Sequence, residues 1–199
     1  MAITSLNHSS MCSCTWLQSS APPPLPPLRV CCYSSTQLSV HKTLTHIHSS
    51  GVIASLRANS AELALKAARD ALSGGISVLE IVMSTPGVFE VVLQQLVQEH
   101  PATTLGVGTV LNVEDAKNAI NAGAKFLMSP AMVKDIMVDA QCGEVLYIPG
   151  VMTPTEILSA YDSGAKIVKV YPVSALGGIR YILHSRGLFI TSQWLLLRA

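Results

Sequence analysis

The stretch DSGAKIVKVYP, residues 162–172, combines the end of a helix, a tight turn and a strand. Gly164 stands where a helix end favours a left-handed C-cap, and the β-branched residues after it are typical of a strand. The stretch NAGAKF, residues 121–126, has the same order of cap glycine and strand. Both stretches predict a helix that leads directly into a strand, as in the βα units of a parallel sheet.

Six strand-like runs follow one another from residue 51 onward, and helix-like stretches separate them. The predicted helix starts are Asn59 or Ser60, Thr85-Pro86, Asn112 and Thr153-Pro154. The close spacing of the units favours a (β/α)8 barrel of the TIM type over a doubly wound sheet. No Gly-x-Gly-x-x-Gly follows the first run, so a dinucleotide-binding sheet lacks its usual fingerprint. The predicted strands are residues 51–57, 77–83, 104–110, 126–129, 145–148 and 167–171.

A lysine interrupts the last predicted strand. Side chains alternate between the two faces of a strand, so Val168 and Val170 share one face while Lys169 lies on the other with Ile167 and Tyr171. If the valines pack on helices, Lys169 lies inside the barrel, where burial lowers the pKa of its ammonium group. The alternative is an edge strand whose lysine reaches solvent.

The same alternation predicts further polar groups near the strand ends. Glu80 is a charged residue inside the apolar second strand, Arg57 ends the first strand, and Thr109 aligns with Leu105 and Val107 on the third. Arg57, Glu80, Thr109 and Lys169 would then meet at the carboxyl ends of predicted strands one, two, three and six, where barrels place their chemistry. Taken singly, Glu80 could be an ion-pair partner, Arg57 a surface residue and Thr109 an ordinary strand residue.

As a set, these residues suit imine chemistry on a 2-oxo acid. A neutral Lys169 amine can attack the carbonyl and form a Schiff base. Glu80 can transfer protons in the same site. The Arg57 guanidinium can bind a substrate carboxylate through two parallel N–H groups, and the Thr109 hydroxyl can add a hydrogen bond. This chemistry requires no metal and no cofactor.

Six segments resemble the KDPG/KHG aldolase family, the class I pyruvate aldolases that cleave 2-keto-3-deoxy-6-phosphogluconate (KDPG) or 4-hydroxy-2-oxoglutarate (KHG) to pyruvate and an aldehyde. The resemblance runs in order from about residue 51 to about 180. It implies a homotrimeric (β/α)8 barrel, with Lys169 as the imine lysine and Glu80 as the acid/base. It also places Arg57, Thr109 and Pro130 around the pyruvate moiety. The segments are residues 52–59, 75–81, 106–111, 128–130, 148–156 and 169–172.

The chain departs from this family after the sixth predicted strand. The family continues with two more βα units, whose loops hold a phosphate in barrels of this type. Residues 181–199 carry no family motif and are expected to supply one strand or one helix. We therefore expect a partial barrel of about six βα units over residues 49–180, followed by a non-family tail. An inactive, truncated barrel that serves as a binding or interaction protein is the alternative function, and another phosphate-handling barrel enzyme is a third.

Residues 1–48 differ in composition from the rest. No Asp or Glu occurs before Glu62, and this segment is rich in Ser, Thr and Pro. An acid-free, Ser-rich leader resembles an organelle transit peptide, and scarce arginine favours the chloroplast over the mitochondrion. The alternative is a disordered, proline-rich tail without a targeting signal, in a cytoplasmic protein. In both cases residues 1–48 are expected to be disordered.

Composition excludes several classes of function. The formal net charge of +1 gives no reason to expect nucleic acid or an anionic membrane as partner. No apolar run is long enough for a membrane span. Four of the five cysteines lie in the leader and only Cys142 lies beyond it, without zinc spacing or a disulfide framework. The expected partner is a small 2-oxo acid.

Overall fold

Parallel strands and helices alternate along the part of the chain that the computed structural model describes, residues 33–141, 143–188 and 195–197. A π-helical turn, Val88–Leu93, precedes the third helix, and a 3-10 turn, Ser174–Leu176, precedes the seventh. The strands are β1 Ala54–Leu56, β2 Val78–Val82, β3 Thr104–Gly108, β4 Phe126–Met128, β5 Leu146–Ile148, β6 Gly150–Val151, β7 Val168–Val170 and β8 Leu195–Leu197. The helices are α1 Tyr33–Ser50, α2 Ala61–Ser73, α3 Gln94–Glu99, α4 Val113–Asn121, α5 Lys134–Gln141, α6 Pro154–Asp162 and α7 Ile179–Leu188.

The strands pair in chain order, as in a barrel. Strands β1 to β5 form one parallel sheet, and β6, β7 and β8 form a second. Pro149, which lacks an N–H, separates β5 from β6. Backbone hydrogen bonds to the neighbouring strands nevertheless continue on either side of it. Ile148 O accepts from Ser129 N at 3.1 Å, and Pro149 O accepts from Lys169 N at 2.9 Å. Within the described residues, β8 does not pair with β1. The predicted incomplete barrel of the TIM type is confirmed, and each of the six predicted strands is present.

Side chains on the two faces of the strands enter two apolar clusters. The outward-facing cluster lies between the strands and the helices and includes Leu79, Ile81, Leu105, Val107 and Val168. The inward-facing cluster fills the barrel. Its buried members are Ile47, Val78, Phe126, Met128, Leu146, Ile148 and Ile167.

Helix α1 closes the amino-terminal end of the barrel. Thr43 and Ile47 are buried, and Val40 and Leu44 pack on the inward-facing cluster. His46 Nδ1 lies 2.6 Å from Oγ1 of Thr104, the first residue of β3. The expected disorder is therefore wrong for residues 33–48. The apolar positions recur at helical spacing, but the Ser-rich, acid-free composition of the segment obscured that period.

The predicted helix caps are largely confirmed. The side chains of Ser60, Asn112 and Thr153 cap α2, α4 and α6, and Thr153 forms a capping box with Glu156. Hydrogen bonds from the Met152 and Thr153 backbone amides lower the pKa of Glu156. These caps fix the helix starts just beyond the carboxyl ends of the strands.

One predicted helix start is wrong. Thr85-Pro86 suggested a helix with proline in its first turn, but the π-helical turn begins at Val88 after Gly87. Gly87 has φ +65°, which interrupts a right-handed path. Thr85 instead lies buried, and its Oγ1 accepts a hydrogen bond from Ala58 N at 3.4 Å.

The residues after 180 form more than was predicted. The structure has both a helix, α7, and a strand, β8, where one or the other was expected. Strand β8 pairs in parallel with β7 and places Leu196 beside Lys169. The Tyr181 hydroxyl of α7 donates to Met152 O, which links this helix to the loop before α6. The sheet thus extends one strand beyond β7.

Candidate active site

Lys169 lies in the middle of β7 with its side chain inside the barrel. Val168 and Val170 belong to the outward-facing cluster, so alternation turns Lys169 inward, where it is 3% exposed. Strand β7 pairs with β6 on one side and with β8 on the other. It is not an edge strand, so the solvated edge lysine considered from the sequence is not what the structure shows.

Glu80 faces Lys169 from β2. The Glu80 side chain is 2% exposed, and its Oε1 lies 3.8 Å from Lys169 Nζ. Within the described part of the chain, this oxygen has no hydrogen-bond partner. A buried carboxylate oxygen without a donor is costly, and such groups often belong to functional sites. The structure therefore brings together the two residues on which the predicted imine chemistry depends.

Two glycines of β3 make room for this arrangement. Gly106 and Gly108 face the barrel interior, because Leu105 and Val107 belong to the outward-facing cluster. A Cβ atom on Gly108 would lie 1.6 Å from Glu80 Oε1. Neither glycine is among the predicted site residues, although glycine in a strand often marks a close approach of other groups.

Thr109 does not reach the site in the way the sequence predicted. Its alignment with Leu105 and Val107 would direct it outward with them. However, β3 ends at Gly108, and Thr109 adopts φ +66°, the sole positive φ of a non-glycine residue in the described chain. A β-branched residue in this region is strained, and such strain is typical of functional sites. Half-buried, Thr109 lies at the carboxyl end of β3, the end where the site is expected.

Arg57 lies just beyond β1 and is exposed. Ser55 of the same strand is the register neighbour of Glu80, so Arg57 follows the strand that borders Glu80. Arg57 forms no ion pair with any residue that the structure describes. The structure does not join its guanidinium to Lys169 or Glu80.

Pro130 borders the strand beside Lys169. A Cβ atom on Gly150 would lie 2.2 Å from the carbonyl carbon of Pro130, so these two backbones are in close contact. Gly150 is in turn the register neighbour of Lys169. The loop that carries Pro130 is held by Tyr147, whose hydroxyl accepts from Val133 N at 3.1 Å and whose pKa is raised by burial.

Tyr171 lies beside the lysine. Lys169 Nζ lies 5.7 Å from the centroid of the Tyr171 ring, and this tyrosine is 41% exposed. The ring is within the range of a cation–π interaction with the Lys169 ammonium group. The sequence placed Tyr171 on the inward face but gave it no role.

The described residues contain no group of three or more His, Cys, Asp or Glu side chains placed to hold a metal ion. None of their helices is long and apolar enough to cross a membrane. Cys142 lies outside the described residues, as do the four cysteines of the leader.

Comparison with known proteins agrees with this site. The family model for KDPG and KHG aldolase matches residues 44–195. The chain belongs to the KDPG and KHG aldolase family. The match begins within α1 and ends in β8, so it extends beyond the predicted range of residues 49–180 at both ends. In particular, most of the predicted non-family tail lies within the family match.

Individual relatives support the same assignment. The KHG/KDPG aldolase of Escherichia coli K12 is 31% identical over 128 residues, 64% of this chain and 60% of the relative. The 2-dehydro-3-deoxy-phosphogluconate aldolase of Dickeya dadantii is 31% identical over 131 residues, 66% of this chain and 61% of the relative. The chain thus spans about 60% of the length of the curated relatives it matches.

A solved structure shows the same fold. KDPG aldolase from Legionella pneumophila superposes with a TM-score of 0.68 at 30% identity, over 73% of this chain and 70% of that one. The crystal structure of that enzyme holds pyruvate captured as a covalent carbinolamine intermediate.

Proposed function

We propose that this chain carries the site of a class I aldolase that cleaves KDPG or KHG to pyruvate and an aldehyde through an imine on Lys169. The observation that carries the proposal is the buried pair of Lys169 and Glu80, whose Nζ and Oε1 are 3.8 Å apart inside the barrel. A carboxylate beside an amine, both withdrawn from water, supplies a nucleophile and a proton-transfer group in one place.

The imine is formed in two steps. The Lys169 amine attacks the C2 carbonyl carbon of the 2-oxo acid, forming a C–N bond and a carbinolamine. Loss of the C2 hydroxyl as water, with a proton supplied by Glu80, gives the protonated imine. The carbinolamine captured in the Legionella pneumophila relative belongs to that protein and supports the same order of steps here.

Cleavage follows from the imine. Glu80 accepts the proton of the C4 hydroxyl, the C3–C4 bond breaks, and its electron pair moves into the imine nitrogen to leave an enamine and an aldehyde. Protonation of the enamine at C3 and hydrolysis of the imine then release pyruvate and restore the free amine. The barrel interior favours these steps because it excludes bulk water from the reacting groups.

Arg57, Thr109 and Pro130 are proposed to surround the pyruvate moiety. The supporting observations are the position of Arg57 beyond β1, the strained Thr109 beyond β3 and the contact of Pro130 with Gly150 beside Lys169. Arg57 would bind the substrate carboxylate through its paired N–H groups. Thr109 would donate a hydrogen bond, and Pro130 would provide an apolar wall.

Pyruvate release from KDPG and from KHG, coupled to lactate dehydrogenase, tests the proposal. We expect the wild-type chain to release pyruvate from at least one substrate and the Lys169→Met variant to release none above background. The matched control is Lys166→Arg, which changes an exposed lysine on the same segment and should retain the rate. A wild-type protein with a cooperative thermal transition that releases no pyruvate contradicts the proposal and favours the inactive binding protein instead.

We further propose that the protein assembles as a homotrimer. The support is its membership of the family, which the sequence resemblance associates with that assembly. Sedimentation equilibrium of the purified chain should give three times the protomer mass, and a monomer at micromolar concentration contradicts the proposal.

Chloroplast targeting is proposed from the leader. Its support is the acid-free, Ser-rich composition that precedes Glu62. Since α1 packs on the barrel, the targeting segment should end before this helix. A fluorescent protein carrying residues 1–32 should enter chloroplasts, and a cytoplasmic or mitochondrial signal contradicts the proposal.

A further inference from the structure

We propose that Gly108 is a positioning residue, which acts on the reaction by leaving the space that the Glu80 carboxylate occupies beside Lys169. The inference rests on the proposed function and extends it to a residue that has no side-chain functional group of its own. Its structural part concerns only Gly108 and Glu80, and it can be tested separately from the aldolase reaction.

The geometry of β2 and β3 defines this space. Glu80 pairs in register with Gly106, and Gly108 lies two residues further toward the carboxyl end, opposite Val82. The Glu80 side chain leans along the strand, so its carboxylate lies over Gly108 instead of over its register neighbour. A Cβ atom on Gly108 would lie 1.6 Å from Oε1, 2.4 Å from Cδ and 2.8 Å from Cγ of Glu80. No side chain other than hydrogen fits there while Glu80 keeps its position.

The requirement for glycine at this position is steric. Gly108 does not appear among the described glycines with positive φ, so its backbone is open to any L-residue. The three atoms nearest to the added Cβ all belong to Glu80, so a methyl group at this position would meet the Glu80 side chain first. An alanine would therefore displace the Glu80 carboxylate. This is the group whose Oε1 lies 3.8 Å from Lys169 Nζ.

Gly106 provides a matched comparison in the same strand. A Cβ atom on Gly106 would lie 2.5 Å from ring atoms of Phe126 and would meet no atom of Glu80 among its nearest neighbours. Phe126 is fully buried in the inward-facing cluster. The same methyl group thus disturbs the apolar core at Gly106 but the proton-transfer group at Gly108.

Displacement of the carboxylate has a specific chemical consequence. In the pyruvate imine, a C3–H bond breaks, the electron pair moves toward the imine nitrogen to form the enamine, and the proton passes to the Glu80 carboxylate. The reverse transfer from solvent-equilibrated Glu80 exchanges the methyl protons of pyruvate for deuterium. Moving the carboxylate increases the distance over which the proton passes between C3 and Glu80. The exchange therefore slows, while the amine of Lys169 is unchanged.

The experiment combines Gly108→Ala and Gly106→Ala with Glu80→Ala in two double-mutant cycles on the full chain. Melting temperature and the rate of pyruvate methyl exchange, followed by proton NMR in D2O, are measured for each variant. We expect Gly108→Ala to slow exchange roughly 100-fold, the range of lost general acid/base catalysis, and to lower the melting temperature. In the Glu80→Ala background the same substitution should change neither quantity, because the group it displaces is gone.

Gly106→Ala should behave differently, lowering the melting temperature by a similar amount with and without Glu80. If the effect of Gly108→Ala on melting persists in the Glu80→Ala background, or if Gly108→Ala leaves exchange at the wild-type rate, the proposal is overturned. If Gly108→Ala does not fold, folding of the Gly108→Ala/Glu80→Ala variant supports it and failure of that variant overturns it. A wild-type protein without any exchange contradicts the proposed function instead, while the melting-temperature cycles still decide the positional claim.

Discussion

Two ionisable side chains inside the barrel impose a cost on folding that apolar residues would avoid. Withdrawing a carboxylate and an ammonium from water costs several kcal/mol for each ion, and an ion pair at 3.8 Å returns only part of that cost. Glu80 Oε1 also lacks a hydrogen bond within the described chain. An arrangement that is unfavourable for stability is consistent with selection for chemistry, in which the free oxygen accepts or donates a proton.

The Glu80→Gln variant removes the ionisable group at this position and keeps the size of the side chain. Glutamine has nearly the same volume, so the barrel should fold, but its amide cannot accept and return a proton. We expect kcat for pyruvate release to fall by about 10²–10⁴ with little change in KM. Steady-state kinetics on KDPG and KHG measures both constants. A decrease in kcat of less than about tenfold would show that another group transfers the proton.

Strand alternation predicts part of the site and fails at two places. It correctly turns Lys169 and Glu80 toward the interior, because β2 and β7 are regular where these residues lie. It does not apply to Thr109, because β3 ends at Gly108 and Thr109 turns to φ +66°, outside the extended strand. Gly108 could not be recognised from its own strand, since its importance depends on a carboxylate that approaches from β2.

At the scale of the elements, α1 is the helix that the sequence obscured. Its apolar residues cover the amino-terminal end of the barrel, and the inward-facing cluster is continuous with them. The many Ser, Thr and His residues of the segment, together with the absence of acids, predicted disorder instead of a helix. The helical spacing of Val40, Leu44 and Ile47 was the signal that could have revealed the helix.

Truncating Ile47 tests whether α1 is part of the folded domain. Ile47 is 3% exposed, whereas Leu38 on the same helix is 70% exposed. We expect Ile47→Ala to lower the free energy of unfolding by about 3 kcal/mol, the usual cost of truncating a buried isoleucine. Leu38→Ala, the matched control, should change it by less than about 0.5 kcal/mol. Urea denaturation measures both, and equal values would show that α1 does not seal the barrel.

The link between α2 and α3 makes stability depend on pH. Arg69 Nε and Nη2 donate to Glu99 Oε2 and Oε1 at 2.9 and 2.7 Å. These bonds, together with a hydrogen bond from Gln95 Nε2 at 3.0 Å, lower the pKa of Glu99 to about 2. A carboxylate whose pKa is lower in the folded state stabilises the fold above its unfolded pKa. That stabilisation is lost as pH falls from about 4.5 toward about 2.

We therefore expect Glu99→Gln to lower the melting temperature near neutral pH, with the difference from wild type decreasing as the pH approaches about 2. Thermal melts across the acid range measure this difference. Arg69→Met provides the control: in its background, Glu99→Gln should produce a smaller pH-dependent difference, because of these hydrogen bonds only the one from Gln95 then lowers the pKa of Glu99. A difference that stays constant with pH would contradict the assigned link.

At the scale of the whole molecule, the order of elements follows the family pattern over residues 44–195. The sequence predicts the parallel strands well because each βα unit has its own cap glycine or N-cap residue. It predicts the end of the barrel poorly, since a short leucine run such as Leu195–Leu197 has no period that distinguishes a strand from a helix. The pairing of β8 with β7 is a long-range property that no local pattern contains.

The aldolase function requires that Lys169 forms an imine inside the barrel. The decisive measurement is incubation of the full chain with pyruvate and sodium borohydride, followed by peptide mapping. We expect a carboxyethyl group on Lys169, none on Lys166, and no labelling of the Lys169→Arg variant at any lysine. A folded protein that stays unlabelled, or that is labelled equally at its exposed lysines, would contradict the proposed function.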